Sequence, residues 1–255
     1  MYQELVQQLK SIETREEFAK LKAKLAQKYR LKQMPTNIEV LCQLQPKQVA
    51  QYKKFLITKP TRTISGVAPL AIMTAPLNCP AQAKCTFCPG GPNSVYGDTP
   101  KSYPGGSPAH LRAERNHYDP YLQVFNRLEH YMLLNQDCSK TELIIMGGTF
   151  TSYPLRYRHD FIMYALKAMN DFSDLFFTPA FNLKKFKDFF ELPADVKDPE
   201  RTKRLHKKLL RMKKTTTLEK EQKKNETSNI RCAVFCIETR PDCALPVHID
   251  DMLKL

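Results

Sequence analysis

The chain has 255 residues, 42% of them hydrophobic, and a formal net charge of +14, enough apolar material for one large domain or two small ones and too much for a disordered polyelectrolyte. No apolar run approaches the roughly 20 residues of a membrane span, and the N-terminus has no basic segment followed by an apolar one, so a cytoplasmic protein without membrane contact is expected. The positive balance suits RNA, DNA or an acidic membrane surface alike, and the eight cysteines, three of them at metal-ligand spacing, fit a reducing compartment.

Taken in chain order, residues 1–33 read as two helices. Leu5, Val6, Leu9 and Ile12 recur at helical spacing in the first, and Phe18, Leu21, Leu25 and Tyr29 in the second. Thr14 followed by Glu17 is a capping box opening the second helix. Pro35 breaks the pattern, and a further short helix is expected over residues 37–42, ending before Pro46. Residues 1–60 thus form a small basic helical module, whose lysines serve either solvation or a polyanion.

From Thr61 the character changes. Ile64, Val67, Leu70, Ile72 and Met73 form an apolar run ended by Ala75-Pro76, too short for an ordinary helix and read as a buried strand. Residues 79–92 follow directly, with Cys79, Cys85 and Cys88 spaced Cys-x5-Cys-x2-Cys. They would therefore sit at a strand's C-terminal end, where α/β barrels and open parallel sheets carry their active sites.

Residues 90–106 are loop by their Gly and Pro content, and a loop that long is usually functional. Residues 121–134 return to helix. A second strand is expected over residues 142–146, ending at Gly147-Gly148-Thr149, and a second long helix over 158–170. Residues 183–228, rich in Lys and Glu, read as an extended crossover with Leu205, Leu209, Leu210 and Met212 at roughly helical spacing. Residues 230–237 read as a third strand, followed by Glu238-Thr239-Arg240-Pro241-Asp242, and the first turns of another helix begin at His248. Strand and helix in alternation predict βαβ units in a parallel sheet. Three such strands close no barrel, so the chain reads as the first half of something larger.

Three thiolates at this spacing can hold three irons of a cubane and leave the fourth open to a ligand that is not protein. A zinc site completed by His110 or Cys138 is the alternative. Glycines at the second strand end let a ligand approach the backbone, although Gly147-Gly148 alone is also an ordinary strand-to-loop turn. Glu238 and Arg240 serve either a ligand or a structural ion pair.

Beyond spacing, Cys79-Pro, Cys85-Thr-Phe-Cys88-Pro-Gly-Gly-Pro, Thr99-Pro-Lys-Ser-Tyr103, Leu111-Arg-Ala-Glu-Arg115, Tyr118-Asp-Pro-Tyr121, Glu142-Leu-Ile-Ile-Met-Gly-Gly-Thr-Phe150 and Ile237-Glu-Thr-Arg-Pro-Asp242 resemble the catalytic subunit of Elongator and its archaeal and bacterial relatives. The resemblance implies an α/β fold, the N-terminal part of a radical S-adenosylmethionine (SAM) TIM-like partial barrel over residues 61–255, preceded by the basic helical module of residues 1–60 as a tRNA-binding unit. It implies a tRNA-modifying enzyme that uses acetyl-CoA to build a carboxymethyl-type group at carbon 5 of the wobble uridine. In family terms Cys79, Cys85 and Cys88 hold a [4Fe-4S] cluster. Gly147, Gly148 and Thr149 receive the SAM amino group, Glu238 and Arg240 hold its ribose and carboxylate, and Lys140 contacts acetyl-CoA. Lys20, Lys24 and Lys28 of the module, with Arg112 and Arg115, would hold the tRNA backbone, since phosphate contacts dominate affinity. The resemblance names no catalytic side chain beyond these.

Two positions depart from the pattern: Ala81 stands where the family usually has histidine, and Cys243 where tyrosine is more usual. The resemblance also implies that the later barrel strands and the acetyltransferase domain lie beyond Leu255, on the same or a separate chain, with Elongator-type subunits as partners in a eukaryote. The competing expectation is a non-catalytic tRNA-binding or scaffold protein whose cysteines hold zinc or nothing.

Overall fold

The computed structural model describes residues 1–83, 85–195 and 198–255. Its N-terminal quarter is helical: α1 (Tyr2–Gln8), α2 (Arg15–Lys28), α3 (Asn37–Gln43), α4 (Pro46–Gln51) and α5 (Lys53–Leu56). The Thr14 hydroxyl accepts from the Glu17 amide at 3.1 Å while Glu17 reaches back to the Thr14 amide, closing the predicted capping box. Thr36 and Glu39 repeat the device at α3. Leu5, Leu9, Phe18, Leu21, Leu25, Val40 and Phe55 bury one another in a cluster of their own, and Leu41 and Cys42 on α3 join the second, larger core.

That core surrounds a parallel sheet in the order β1 (Ala68–Met73), β2 (Lys140–Met146), β3 (Arg231–Ile237). The α/β class and parallel sheet expected from the sequence are both present. Leu70 pairs with Leu143 and Ile72 with Ile145; all four are essentially inaccessible, each contributing about 1.5–3 kcal/mol by burial. Between β1 and β2 run α6 (Pro108–Arg115) and α7 (Pro120–Leu133), and between β2 and β3 run α8 (Leu155–Phe176), α9 (Leu183–Phe189), α10 (Pro199–Met212) and α11 (Leu218–Asn225); α12 (Pro246–Met252) follows β3.

Three features differ from the sequence expectation. Helix α6 has too few apolar positions to show a period; its signal is Ser107, which caps the His110 amide, followed by Pro108 at the first turn. The crossover of residues 183–228 holds more than the helix marked by Leu205, Leu209, Leu210 and Met212, which is α10: it also carries α9 and α11. Phe172, Phe176, Phe186 and Phe190 interlock to hold it against α8, and Arg201 forms a fully buried ion pair with Glu129 of α7. The first strand begins at Ala68 rather than near Thr61, because Pro60–Thr63 forms a 3-10 turn.

Among the described residues β1 pairs only with β2, so its outer edge presents backbone groups outside the ladder. Side chains from α6 and α7 cover them. Tyr131 donates to Pro69 O at 2.6 Å, Arg112 Nη2 to Ala71 O at 3.0 Å, and Gln123 both accepts from Met73 N and donates to Met73 O at 2.9 Å. No helix among the described residues is long and apolar enough to cross a membrane.

Candidate metal and cofactor site

The three strands end together because each is stopped by local chemistry. After β2, Gly147 and Gly148 turn with φ of +116° and +92°, conformations that glycine alone takes without strain. Thr74, one residue past β1, donates from Oγ1 to Gly147 O at 3.1 Å, and the Tyr153 hydroxyl donates to the same oxygen at 2.6 Å. After β3, the Glu238 amide donates to Ile145 O at 3.2 Å, and Gly147 N donates to the Glu238 carboxylate at 3.4 Å. The turn is packed tightly: a Cβ on Gly147 would lie 2.4 Å from Thr74 Oγ1, and one on Gly148 would lie 2.9 Å from Lys101 Cβ and 3.7 Å from Cys79 Sγ.

These ends enclose an open cavity of about 780 Å³ whose wall includes Cys79, Cys85, Cys88, Gly148, Thr149, Glu238 and Arg240. Each thiol has its own partner. Cys79 Sγ lies 3.3 Å from the Thr149 hydroxyl, Cys88 Sγ accepts from the Ser102 amide at 3.3 Å, and Cys85 Sγ accepts from Arg240 Nη1 at 3.0 Å. Arg240 is aimed by Asp242, to which Nε and Nη2 donate at 2.9 and 3.0 Å. That pairing, with smaller contributions from Cys85 and Cys79, raises the guanidinium pKa and holds the Asp242 carboxyl below its usual range. The structural ion pair read for Glu238 and Arg240 is not among the ion pairs of the described residues: Arg240 pairs instead with Asp242.

Glu238 is held by a residue to which the sequence assigned no role. The Tyr103 hydroxyl donates to both carboxylate oxygens, at 2.5 and 2.7 Å, and burial followed by this contact pushes its pKa up. Tyr103 stands in the Thr-Pro-Lys-Ser-Tyr motif, and only the folded loop brings it across to the third strand. Gly90 secures that loop, since a Cβ there would fall 1.9 Å from Tyr103 O. Lys101 lines the same cavity and was likewise missed.

The residues fit a cysteine-bound cluster in donor chemistry. All three thiols are free and share one wall, with the Arg240 guanidinium donating to Cys85 Sγ. They are not drawn into a closed set: among the described residues no three Cys, His, Asp or Glu side chains stand together at metal-ligand geometry. A zinc site completed by His110 or Cys138 does not assemble. His110 Nε2 is engaged by the Tyr118 hydroxyl at 3.0 Å, and Cys138 is buried on another cavity.

The other predicted site residues lie apart. Lys140 begins β2, at the end opposite Gly147, and lines a separate cavity with Arg231 and Phe235. Arg112 caps β1 as described, and Arg115 is half-buried on the same helix. Lys20 and Lys24 are exposed on α2, whereas Lys28 is ion-paired with Glu4 at 2.7 Å.

The chain is similar to known proteins. The profile of the ELP3 N-terminal domain matches residues 1–64. A tRNA uridine(34) acetyltransferase of Methanocaldococcus infernus is 38% identical over 221 residues, 87% of this chain and 34% of the relative. Elongator complex protein 3 of Saccharomyces cerevisiae is 33% identical over 260 residues, 98% of this chain and 39% of the relative. The chain thus spans about a third of the length of the curated relatives it matches. Among solved structures, the archaeal Methanocaldococcus infernus Elp3 with an N-terminal deletion aligns with TM-score 0.43 and 27% identity, over 74% of this chain and 26% of that one.

Proposed function

The chain belongs to the family of Elongator complex protein 3 and the archaeal tRNA uridine(34) acetyltransferases, and on that premise we propose that it carries the radical SAM part of a tRNA wobble-uridine modifying enzyme. Cys79, Cys85 and Cys88 would hold a [4Fe-4S] cluster, and the Gly147-Gly148-Thr149 turn with Glu238 and Arg240 would hold SAM. Bound there, the cluster and SAM supply the radical chemistry that forms a carbon-carbon bond at carbon 5 of uridine, with acetyl-CoA as the carbon source. One observation carries the reading: residues from three separate strand ends, up to 161 positions apart from Cys79 to Arg240, line a single cavity that includes all three thiols.

The chain's own groups have definable tasks in this reading. Arg240, fixed by Asp242, donates to Cys85 Sγ and holds that side chain at the cavity wall. The glycine turn lets Thr74, Pro100, Lys101 and Tyr153 close onto the backbone beside Cys79, which fixes the cavity wall there. Tyr103 positions the Glu238 carboxylate, whose remaining lone pairs would accept from a ribose hydroxyl. Lys140 stands at the far end of β2, so an acetyl-CoA contact there belongs to a site separate from the cysteine cavity. Completing the reaction requires an acetyltransferase unit, on the same or another chain.

The test is reductive SAM cleavage by the anaerobically reconstituted chain, with tRNA affinity measured in parallel. Cys85→Ala is expected to abolish 5′-deoxyadenosine formation and to leave tRNA affinity within about twofold, since Cys85 is a metal ligand and no phosphate contact. Joint loss of both would mean that the cysteines serve structure alone.

A further inference from the structure

A second cavity, of about 520 Å³, lies at the end of the sheet opposite the cysteines, where the helical module meets the sheet. Leu41 of α3, Val49 of α4, Met132 of α7, Phe177 and Phe181 of the α8–α9 connection and Ile230 before β3 form its apolar wall. The volume falls within the roughly 300–1,000 Å³ of small-molecule pockets, which usually combine apolar walls with a few polar groups. The phenylalanine side is firmly built. The Phe177 and Phe181 rings pack at 5.4 Å, Thr178 N donates to Ala180 O at 3.1 Å, and Phe181 packs in turn on Phe186 at 5.3 Å.

The charged residues of the lining are Lys47 of α4, Lys53 of α5 and Asp137 in the turn before β2. Both lysines are exposed, and among the described residues neither forms an ion pair. Asp137 Oδ1 accepts from the Ser139 amide at 2.9 Å. Two lysines against one aspartate leave one positive charge, which suits a monoanion. No arginine lines the cavity, so it lacks the bidentate fork that favours phosphate. In the same wall, Asn135 Nδ2 and Gln136 Oε1 have no hydrogen-bond partner. Gln136 is only 2% exposed, and its Nε2 is spent on Thr58 O and Lys59 O at 2.6 and 2.8 Å. Buried polar atoms left in this way call for a ligand or water. A carboxylate accepts from the Asn135 amide, and a water held by that carboxylate donates to Gln136.

We propose that this cavity binds a small amphipathic monocarboxylate with an alkyl body of medium length. The body lies against Val49, Met132, Phe177 and Phe181, and the carboxylate faces Lys47 and Lys53. Such an occupant touches α4 and α5 of the module and the turns entering β2 and β3 at once, so binding fastens the module to the sheet. The site is independent of the cysteine cavity and of the tRNA reading, and either can fail without the other.

The experiment titrates the full chain with decanoate and with decanol, an uncharged body of the same length, by calorimetry and thermal melts. It compares wild type, the Lys47→Gln/Lys53→Gln double variant and Ala50→Trp, whose ring narrows the cavity that Ala50 lines. All three positions are exposed, so the substitutions remove no core contact. The Met132 methyl resonance, assigned through Met132→Leu, reports occupancy locally by NMR. Wild type is expected to bind a single decanoate, with a raised Tm and a shifted Met132 methyl, and to bind decanol on the order of tenfold more weakly. The double variant is expected to bring decanoate down to the decanol level with decanol unchanged, and Ala50→Trp to abolish both. If Ala50→Trp melts early, the Met132 shift and the double variant decide the site without it. No saturable decanoate binding by wild type, or binding that leaves the Met132 methyl unmoved, overturns the proposal. Decanol bound as tightly as decanoate by wild type overturns the carboxylate assignment.

Discussion

Replacing Gly147 by alanine tests whether the turn after β2 is as tightly determined as its contacts indicate. At φ +116° an L-residue is strained, by about 1–3 kcal/mol. The new Cβ meets Thr74 Oγ1 at 2.4 Å and Pro100 Cβ at 3.2 Å, an overpacking that adds about 1–3 kcal/mol. Displacing Thr74 also weakens its bond to Gly147 O, about 1 kcal/mol more. The expected loss is about 3–7 kcal/mol, which at this chain length lowers Tm by about 6–28 °C. Gly66 provides the control, since its φ is +79° and a Cβ there meets nothing within 4 Å; Gly66→Ala should cost only about 1–2 kcal/mol. Thermal and urea unfolding of the two variants decide the matter. If Gly147→Ala is no more destabilising than Gly66→Ala, the steric reasoning about the turn is wrong.

Other outcomes follow from buried groups. Arg201→Leu strands Glu129, which is 1% exposed, and should cost about 3–5 kcal/mol, whereas replacing both partners by leucine should recover most of it; urea unfolding checks this. His130 is depressed to about 4 by burial first and then by the neighbouring arginines. Its unfolded pKa is near 6.5, so the unfolded chain takes the proton first, and the neutral folded form loses about 3 kcal/mol of stability as pH falls from about 6.5 to 4, a loss that His130→Gln should remove. In alkylation followed by mass spectrometry near neutral pH, exposed Cys85 and Cys236 should react first. Cys138 is buried with its thiol pushed up, and Cys232 is raised by burial to about 12, so both should lag by at least about a hundredfold.

Much of the fold was legible because local chemistry and long-range packing agree. The Thr14–Glu17 box, the apolar runs of all three strands and the Gly147-Gly148 stop can each be read within a few residues. Helix α6 escaped because eight residues with few apolar positions carry no period. The crossover was legible only in the helical spacing that marks α10, because what folds it back, Arg201 against Glu129 and the ring cluster around Phe172, lies between residues distant in sequence. The site was legible as a set of motifs, and proximity within one cavity was visible only in the fold. Tyr103 reaches Glu238 across 135 positions, and Arg112 is found to reach the edge of β1 through its Nη2.

Iron and sulfide content after anaerobic reconstitution addresses the cysteine site most directly, measured on wild type and on Cys79→Ser, Cys85→Ser, Cys88→Ser and Cys138→Ser. The expected result is about four iron and four sulfide per chain, with thiolate-to-iron charge-transfer absorbance, in wild type and Cys138→Ser, and loss of both in each of the other three variants. Stoichiometric zinc with no iron uptake, or iron retained in Cys85→Ser, would contradict a cluster held by Cys79, Cys85 and Cys88.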